Sequence, residues 1–398
     1  MSFLQLKPGL YSVGVLNPNL RVFDVVMKTE YGTSYNSFLI KDEKIALVEA
    51  SHRTFFKEFL ENVGEVTPAE SVDYIILNHT EPDHSGALSL IAENFPKAKI
   101  VCSKAASIYL KKITNKELDL LVVKDGDTLS LGKTNLKFIS APFLHWPDTM
   151  FTYAENLGAV FTCDFLGTHY CEPNMIDSRV TYPAKFLYAV KVYYDAIMSP
   201  FKQYVLKGLE KLEGLKFDTV LVSHGPILTG NGLLPEIKKL YKEWSAEKKN
   251  GLSIPVFYVS AYGFTKKLAN EAVKVIKSAL PDVKCEAYDI IENDIGALAS
   301  LMNASDGFLV GSPTINKAAL PPVWDLLSRL DVINAQKKAV GVFGSYGWSG
   351  EAVPSIIGSL APLRVKVIGE GFKANFNPNG TEIEGMREYV KTFLKEIG

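Results

Sequence analysis

The first 250 residues alternate short apolar runs with polar clusters. Leu10–Leu16, Arg21–Met27, Ser37–Lys41 and Ile45–Val48 have the make-up of strands and are separated by Asn, Pro and Gly turn signals. Tyr74–Leu77 is a short apolar run that ends in a histidine-rich turn, as a buried strand would. Lys99–Cys102, Leu136–Ala141 and Ala159–Cys163 repeat that form. With helical stretches interspersed, the pattern predicts an α/β sandwich whose polar clusters sit at strand ends.

The rhythm changes at Trp244–Ser253, where Glu-Lys-Lys-Asn-Gly makes a charged joint closed by glycine. This divides the chain into residues 1–250 and residues 251–398. The second part predicts strands at Ile254–Ser260, Val283–Asp289, Gly307–Gly311, Lys338–Ser345 and Leu363–Ile368. Helices are predicted at Thr265–Leu280, shortly after Asp289, at Pro321–Leu330, at Gly350–Leu360 and from about Glu382. Five strands alternating with helices imply a doubly wound parallel sheet that binds ligands at the strands' carboxyl ends.

A length of 398 residues exceeds what one core normally supports, in keeping with two domains. Hydrophobic residues make up 47% and charged residues 22%, and the formal charge of −1 favours neither nucleic acid nor an anionic membrane as partner. No stretch approaches the roughly 18 apolar residues of a membrane helix. Met1–Lys7 has no basic segment followed by an apolar one, so no secretory signal is expected. Cys102, Cys163, Cys171 and Cys285 are scattered and form no Cys-x-x-Cys, which suits a reducing cytoplasm and argues against a fused thiolate metal module.

Directly after Tyr74–Leu77 comes Asn78-His79-Thr80-Glu81-Pro82-Asp83-His84-Ser85-Gly86. His79, Glu81, Asp83 and His84 lie on a turn stiffened by Pro82 and can converge on one small volume. Imidazole and carboxylate without thiolate suit iron, manganese or zinc. A solvated turn, or a cap for the helix from Ser85, would need only one of these side chains. His145, Asp164 and His224 each follow an apolar strand and supply the ligands that a two-metal site requires. His52 reads as a surface or capping residue. His169 reads equally as a core histidine or as a residue that orients a ligand.

The order His-x-Glu-x-Asp-His, then His, Asp and His, resembles the flavodiiron branch of the metallo-β-lactamase superfamily, whose hydrolytic members normally carry His where this chain has Glu81. The resemblance spans essentially the whole chain. It implies an N-terminal metallo-β-lactamase-like αββα sandwich and a C-terminal flavodoxin-like sheet. It also implies that His79, Glu81 and His145 bind one iron, that Asp83, His84 and His224 bind the other, and that Asp164 bridges them. Some members of the family leave the histidine at the position of His84 off the metal.

In the second part, the first strand runs into Ser260-Ala261-Tyr262-Gly263-Phe264-Thr265 and then a helix. Backbone N–H groups at the helix start and the Ser260 and Thr265 hydroxyls make a phosphate cradle without Lys or Arg between them. The loop is similar to the FMN-phosphate loop of flavodoxins, although Phe264 stands where a polar residue is common. No Gly-x-Gly-x-x-Gly supports NAD. Two more loops follow the third and fourth strands, Ser312-Pro313-Thr314-Ile315-Asn316 and Ser345-Tyr346-Gly347-Trp348-Ser349-Gly350. Both border the switch-point crevice. By the same resemblance Tyr346 and Trp348 flank the flavin ring, and Thr314 and Asn316 meet its edge.

The resemblance implies an oxidoreductase that uses FMN and two iron ions to reduce dioxygen to water, nitric oxide to nitrous oxide, or both. Electrons would come from a separate rubredoxin-like donor, with a reduced deazaflavin as the alternative. The expected assembly is a head-to-tail homodimer or a dimer of dimers. Two other functions remain open at this point: a dinuclear zinc metallo-hydrolase, and a flavodoxin-like electron carrier whose lactamase-like half is a docking scaffold.

Overall fold

The computed structural model describes residues 3–24, 27–246 and 251–397. Its contacts divide the chain into two compact units, Met1–Ala246 and Glu247–Gly398. The expected boundary after residue 250 lies outside the described residues.

In the first unit, among the described residues, two sheets carry the fold. One has seven strands in the order Leu4–Lys7, Leu10–Ser12, Phe38–Lys41, Ile45–Val48, Val72–Leu77, Lys99–Ser103 and Leu120–Val123. The other has six, Thr128–Ser130, Asn135–Ser140, Met150–Ala154, Ala159–Cys163, Thr219–Val222 and Leu228–Thr229. Residues on alternate sides of each strand build different cores. Phe38, Ile40, Val48, Ile76 and Val101 pack with Phe138, Met150, Phe161 and Leu221 between the sheets. Leu39, Ile75 and Leu77 pack outward with Phe59 and Val63 of helix Phe56–Val66 and Leu110 of helix Lys104–Thr114. Phe151, Val160 and Val220 pack on the opposite outer face with Phe186, Leu209 and Ile237 of three further helices. The layers are therefore helix, sheet, sheet, helix, as the sequence implied.

Two strand expectations in this unit are corrected. Leu10–Leu16 splits into Leu10–Ser12, which stays in the large sheet, and Val15–Asn17, which pairs with Thr33–Tyr35. The cause is a close backbone crossing at Gly14, where a Cβ would stand 2.4 Å from the Tyr35 carbonyl oxygen. Arg21–Met27 is not one strand but an antiparallel pair, Val22–Phe23 with Met27–Lys28, and Asp24 has a φ of 45°.

The second unit is a parallel sheet in the order Ala287–Asp289, Val256–Tyr258, Gly307–Gly311, Ala339–Tyr346 and Lys366–Val367. The strand order reverses beside the first strand, which creates the crevice expected of a doubly wound sheet. Helices Phe264–Ala279 and Gly380–Leu394 cover one face through Leu268, Ile276, Met386 and Val390. Helices Ile295–Ala304, Pro321–Leu327 and Ala352–Leu360 cover the other through Leu298, Val323 and Ile356.

The strands at Ile254–Ser260 and Val283–Asp289 are shorter than expected. The first begins only after Pro255, which has no N–H to give a ladder. Leu363–Ile368 contracts to Lys366–Val367, and an unexpected strand, Phe372–Asn375, pairs with the carboxyl end of Ala339–Tyr346. The last helix starts at a capping box formed by Asn379 and Glu382.

Candidate metal centre and flavin site

Four strand ends of the first unit deliver the polar side chains to one place. Val72–Leu77 leads to His79, and the short helix Pro82–Ser85 turns Asp83 and His84 inward. Ala159–Cys163 and Thr219–Val222 lie side by side in parallel, so Asp164 and His224 emerge together. Ring and carboxylate atoms of His79, Glu81, His145 and Asp164 all lie within 4.8 Å of one another, and those of Asp83, His84 and His224 form a second such group.

Asp164 belongs to both groups by contact. Its Oδ2 stands 3.5 Å from Nε2 of His79 and of His145. Its Oδ1 stands 3.3 Å from Nε2 of His84 and 3.5 Å from Nε2 of His224. Glu81 Oε2 approaches His145 at 3.0 Å and His79 at 3.2 Å. Asp83 meets His224 at 3.0 Å through Oδ2 and His84 at 3.3 Å through Oδ1. All seven expected metal ligands are thus brought together, and His84 faces the same carboxylates as the others.

Burial opposes charge at His79, His145, Glu81, Asp83 and Asp164, but the neighbours prevail. Hydrogen bonds to Asp148 and Glu81 hold His79 up to about 10 against its desolvation. His145 is raised to about 8, its burial outweighed by Asp164 and Glu81. Burial of Asp164 is overcome by His84 and His145, which keep its carboxyl well below the usual range. Three ionised carboxylates therefore share one buried volume. Both oxygens of Asp83, Oδ1 of Asp164 and Nε2 of His84 are buried without a hydrogen-bond partner. Buried donor atoms that converge without hydrogen-bond partners suit a metal ion, and N/O donors of this kind suit iron.

Partners behind the ligands fix their orientation. Asp148 accepts hydrogen bonds from His79 Nδ1 at 3.4 Å and from the Thr80 hydroxyl at 2.7 Å. His224 Nδ1 donates to the Ser34 carbonyl at 2.7 Å. Sequence reading missed Asp148, whose only signal is an acidic residue closing His145-Trp-Pro-Asp148 before the next strand. His52 caps a short helix by accepting from the Thr54 N–H at 3.1 Å. His169 bonds the Thr33 hydroxyl at 2.9 Å, and burial pushes it down to about 3, so it is a neutral neighbour of the cluster. A cavity of about 300 Å³ opens beside Glu81 and Asp83, lined by Val22, Phe23, Tyr35 and His52 among others.

In the second unit the three expected loops meet at the strands' carboxyl ends. The Thr265 hydroxyl touches that of Ser345 at 2.9 Å, and the Thr314 N–H donates to the Ser345 carbonyl at 2.8 Å. Gly344 lets the loops after the third and fourth strands approach, since a Cβ there would lie 2.3 Å from the Ser312 carbonyl oxygen. Ser260 Oγ accepts from the Lys266 N–H at 3.3 Å. Ser312 is buried and accepts from the Leu320 N–H at 3.0 Å, while the Thr314 hydroxyl accepts from Ala352 N–H at 3.2 Å. Ala261, Tyr262, Gly263, Ile315 and Asn316 are exposed, Phe264 is half-buried, and Pro313 is buried. Tyr346, Gly347, Ser349 and Gly350 are half-buried around Trp348. Tyr262 and Trp348 are 81% and 93% exposed, and large aromatic surfaces left open beside a polar loop suit a planar ring.

The sequence profile described as ODP family beta lactamase matches residues 33–225, and that of flavodoxin matches residues 256–389. Flavo-diiron protein FprA2 of Clostridium acetobutylicum is 50% identical over 400 residues, covering 100% of both chains. The anaerobic nitric oxide reductase flavorubredoxin of Vibrio vulnificus is 31% identical over 92% of this chain and 75% of its own. Among solved structures, rubredoxin oxygen:oxidoreductase of Desulfovibrio gigas superposes with a TM-score of 0.72 at 26% identity, covering 99% of this chain and 98% of that one.

Proposed function

The chain belongs to the flavodiiron proteins, and from that premise we propose which of its residues hold the cofactors and what they act on. It is an oxidoreductase whose cofactors are FMN and two iron ions. His79, Glu81 and His145 hold one iron, Asp83, His84 and His224 hold the other, and Asp164 is shared between them. The supporting observation is that the two carboxylate oxygens of Asp164 face the two histidine groups separately. Ser260–Thr265, Ser312–Asn316 and Ser345–Gly350 hold FMN, supported by the hydrogen bonds that tie these loops together.

The substrates are dioxygen, reduced to water, or nitric oxide, coupled to nitrous oxide, or both. Bound together, the flavin and the iron pair supply up to four electrons, as many as dioxygen requires and twice what two nitric oxide molecules require. The chain's own part is to hold and orient. Asp148 and the Ser34 carbonyl fix the rings of His79 and His224. The cavity beside Glu81 and Asp83, with Phe23 and Tyr35 in its wall, admits a small diatomic molecule. Glu81 at a position that is histidine in hydrolytic relatives argues against a zinc hydrolase.

Electrons arrive from a separate rubredoxin-like donor, and the working unit is a head-to-tail homodimer or a dimer of dimers. Among the described residues no helix is long and apolar enough to cross a membrane. The four cysteines are free, which suits work in the cytoplasm. Enzyme and reduced rubredoxin prepared anaerobically, then given either dioxygen or nitric oxide, test the substrate assignment. Failure to consume either gas would reject it.

A further inference from the structure

Glu49 is a buried carboxylate beside the metal cluster with no part in the assignment above. It follows strand Ile45–Val48, which pairs in parallel with Val72–Leu77, and its N–H donates to the Ile76 carbonyl at 2.9 Å. The chain therefore brings it in one strand away from His79. Its backbone has a φ of 66°, a conformation that residues with a Cβ rarely adopt, and Ser37 bonds its carbonyl. Oε1 accepts from the Asn78 N–H at 3.1 Å. Oε2 is buried and has no hydrogen-bond partner, and the residue is only 2% exposed.

An unpaired buried carboxylate oxygen is costly and is kept where a nearby group needs it. A Glu49 carboxylate oxygen, an imidazole nitrogen of His84 and the sulfur of Cys163 lie within 4.8 Å of one another. Cys163 accepts from the Ser223 hydroxyl at 3.2 Å, and a neutral thiol so placed gives a carboxylate little. His84 is the member of the trio whose ring can donate a hydrogen bond to a carboxyl oxygen while its other nitrogen serves a metal. It is also the ligand that stands between Asp83 and Asp164 through Nε2.

We infer that Glu49 is a positioning residue, whose free carboxylate oxygen keeps His84 turned onto the iron shared with Asp83 and His224. Glu49 thereby sets how tightly that iron is held relative to its neighbour. The inference rests on the assignment of His84 to iron made above. Its role follows the general pattern in which a carboxylate near a metal-bound imidazole fixes the ring and tightens the metal.

The test is anaerobic titration of ferrous iron into the metal-stripped full chain carrying FMN, against a competing chelator that resolves the two sites. Glu49→Gln keeps an acceptor for Asn78, so the fold and the FMN content should be retained. It is expected to weaken one of the two sites by roughly 10–100-fold and to leave the other unchanged. In a His84→Ala background the same substitution should add nothing, because its target is gone. Glu49→Asp keeps the carboxyl group at a shorter reach and should lose less. If Glu49→Gln does not fold, Glu49→Asp compared with and without His84→Ala decides the question in the same way.

An unchanged affinity, equal weakening of both sites, or a full effect in the His84→Ala background would overturn the inference. If His84→Ala itself binds iron as the wild type does, it is the ligand assignment that fails.

Discussion

Thr265 and Ser345 join hydroxyls at 2.9 Å across 80 residues of sequence, with both side chains buried. This contact ties the loop after the first strand of the second unit to the loop after the fourth. Thr265→Val leaves the Ser345 hydroxyl buried without its partner. The expected cost is about 1–3 kcal/mol, shared between stability of the unit and affinity for FMN. Flavin titration of the apoprotein, read beside its unfolding curve, checks this. An unchanged FMN affinity and an unchanged midpoint would remove the contact from the account.

Asp164→Ala should abolish turnover and empty both iron positions, because its two oxygens face separate histidine groups. FMN should remain at one per chain, since the flavin loops belong to the other unit. Iron and flavin analysis of the purified variant decides it. An iron-replete, active Asp164→Ala protein would take Asp164 out of the site.

Asp148→Asn retains the shape of the side chain but removes the charge that orients His79. Iron affinity is expected to fall by roughly 10–100-fold at the position served by His79, with less change at the other. Chelator competition measures both positions. Equal affinities in variant and wild type would mean that Asp148 only supports the fold through Thr80.

Head-to-tail pairing predicts complementation between two dead chains. Asp164→Ala subunits mixed with subunits unable to bind FMN should recover up to about a quarter of wild-type activity, because about half the dimers are mixed and each has one working pair of two. No recovery in a preparation shown to contain mixed dimers would mean that each chain works alone.

The seven clustered residues were legible in combination: four donors crowd the turn after one strand, and His145, Asp164 and His224, each weak alone, follow other apolar runs. Asp148 and Glu49 left weaker traces. Asp148 is a single acidic residue before a strand. Glu49 matters through a left-handed backbone and a missing partner, which only coordinates reveal. The strand Phe372–Asn375 was hidden because Phe-Lys-Ala-Asn has little apolar content and gains its place by pairing with Phe343–Tyr346. The break after Ser12 depends on how closely Gly14 passes Tyr35, a long-range contact that local pattern does not encode. The place of Thr265 at a helix start is legible, but its contact with the Ser345 hydroxyl, 80 residues away, is not encoded locally.

One chain carries both a redox-active iron pair and a flavin. Anaerobic reductive titration of the purified protein, followed by visible absorption and counted per chain, tests it most directly. Four electrons per chain are expected, two taken up by FMN and two by the irons. An uptake of two electrons, with flavin bleaching and no further acceptor in protein whose metal positions are filled, would contradict it and leave a flavin carrier or a zinc-loaded protein in its place.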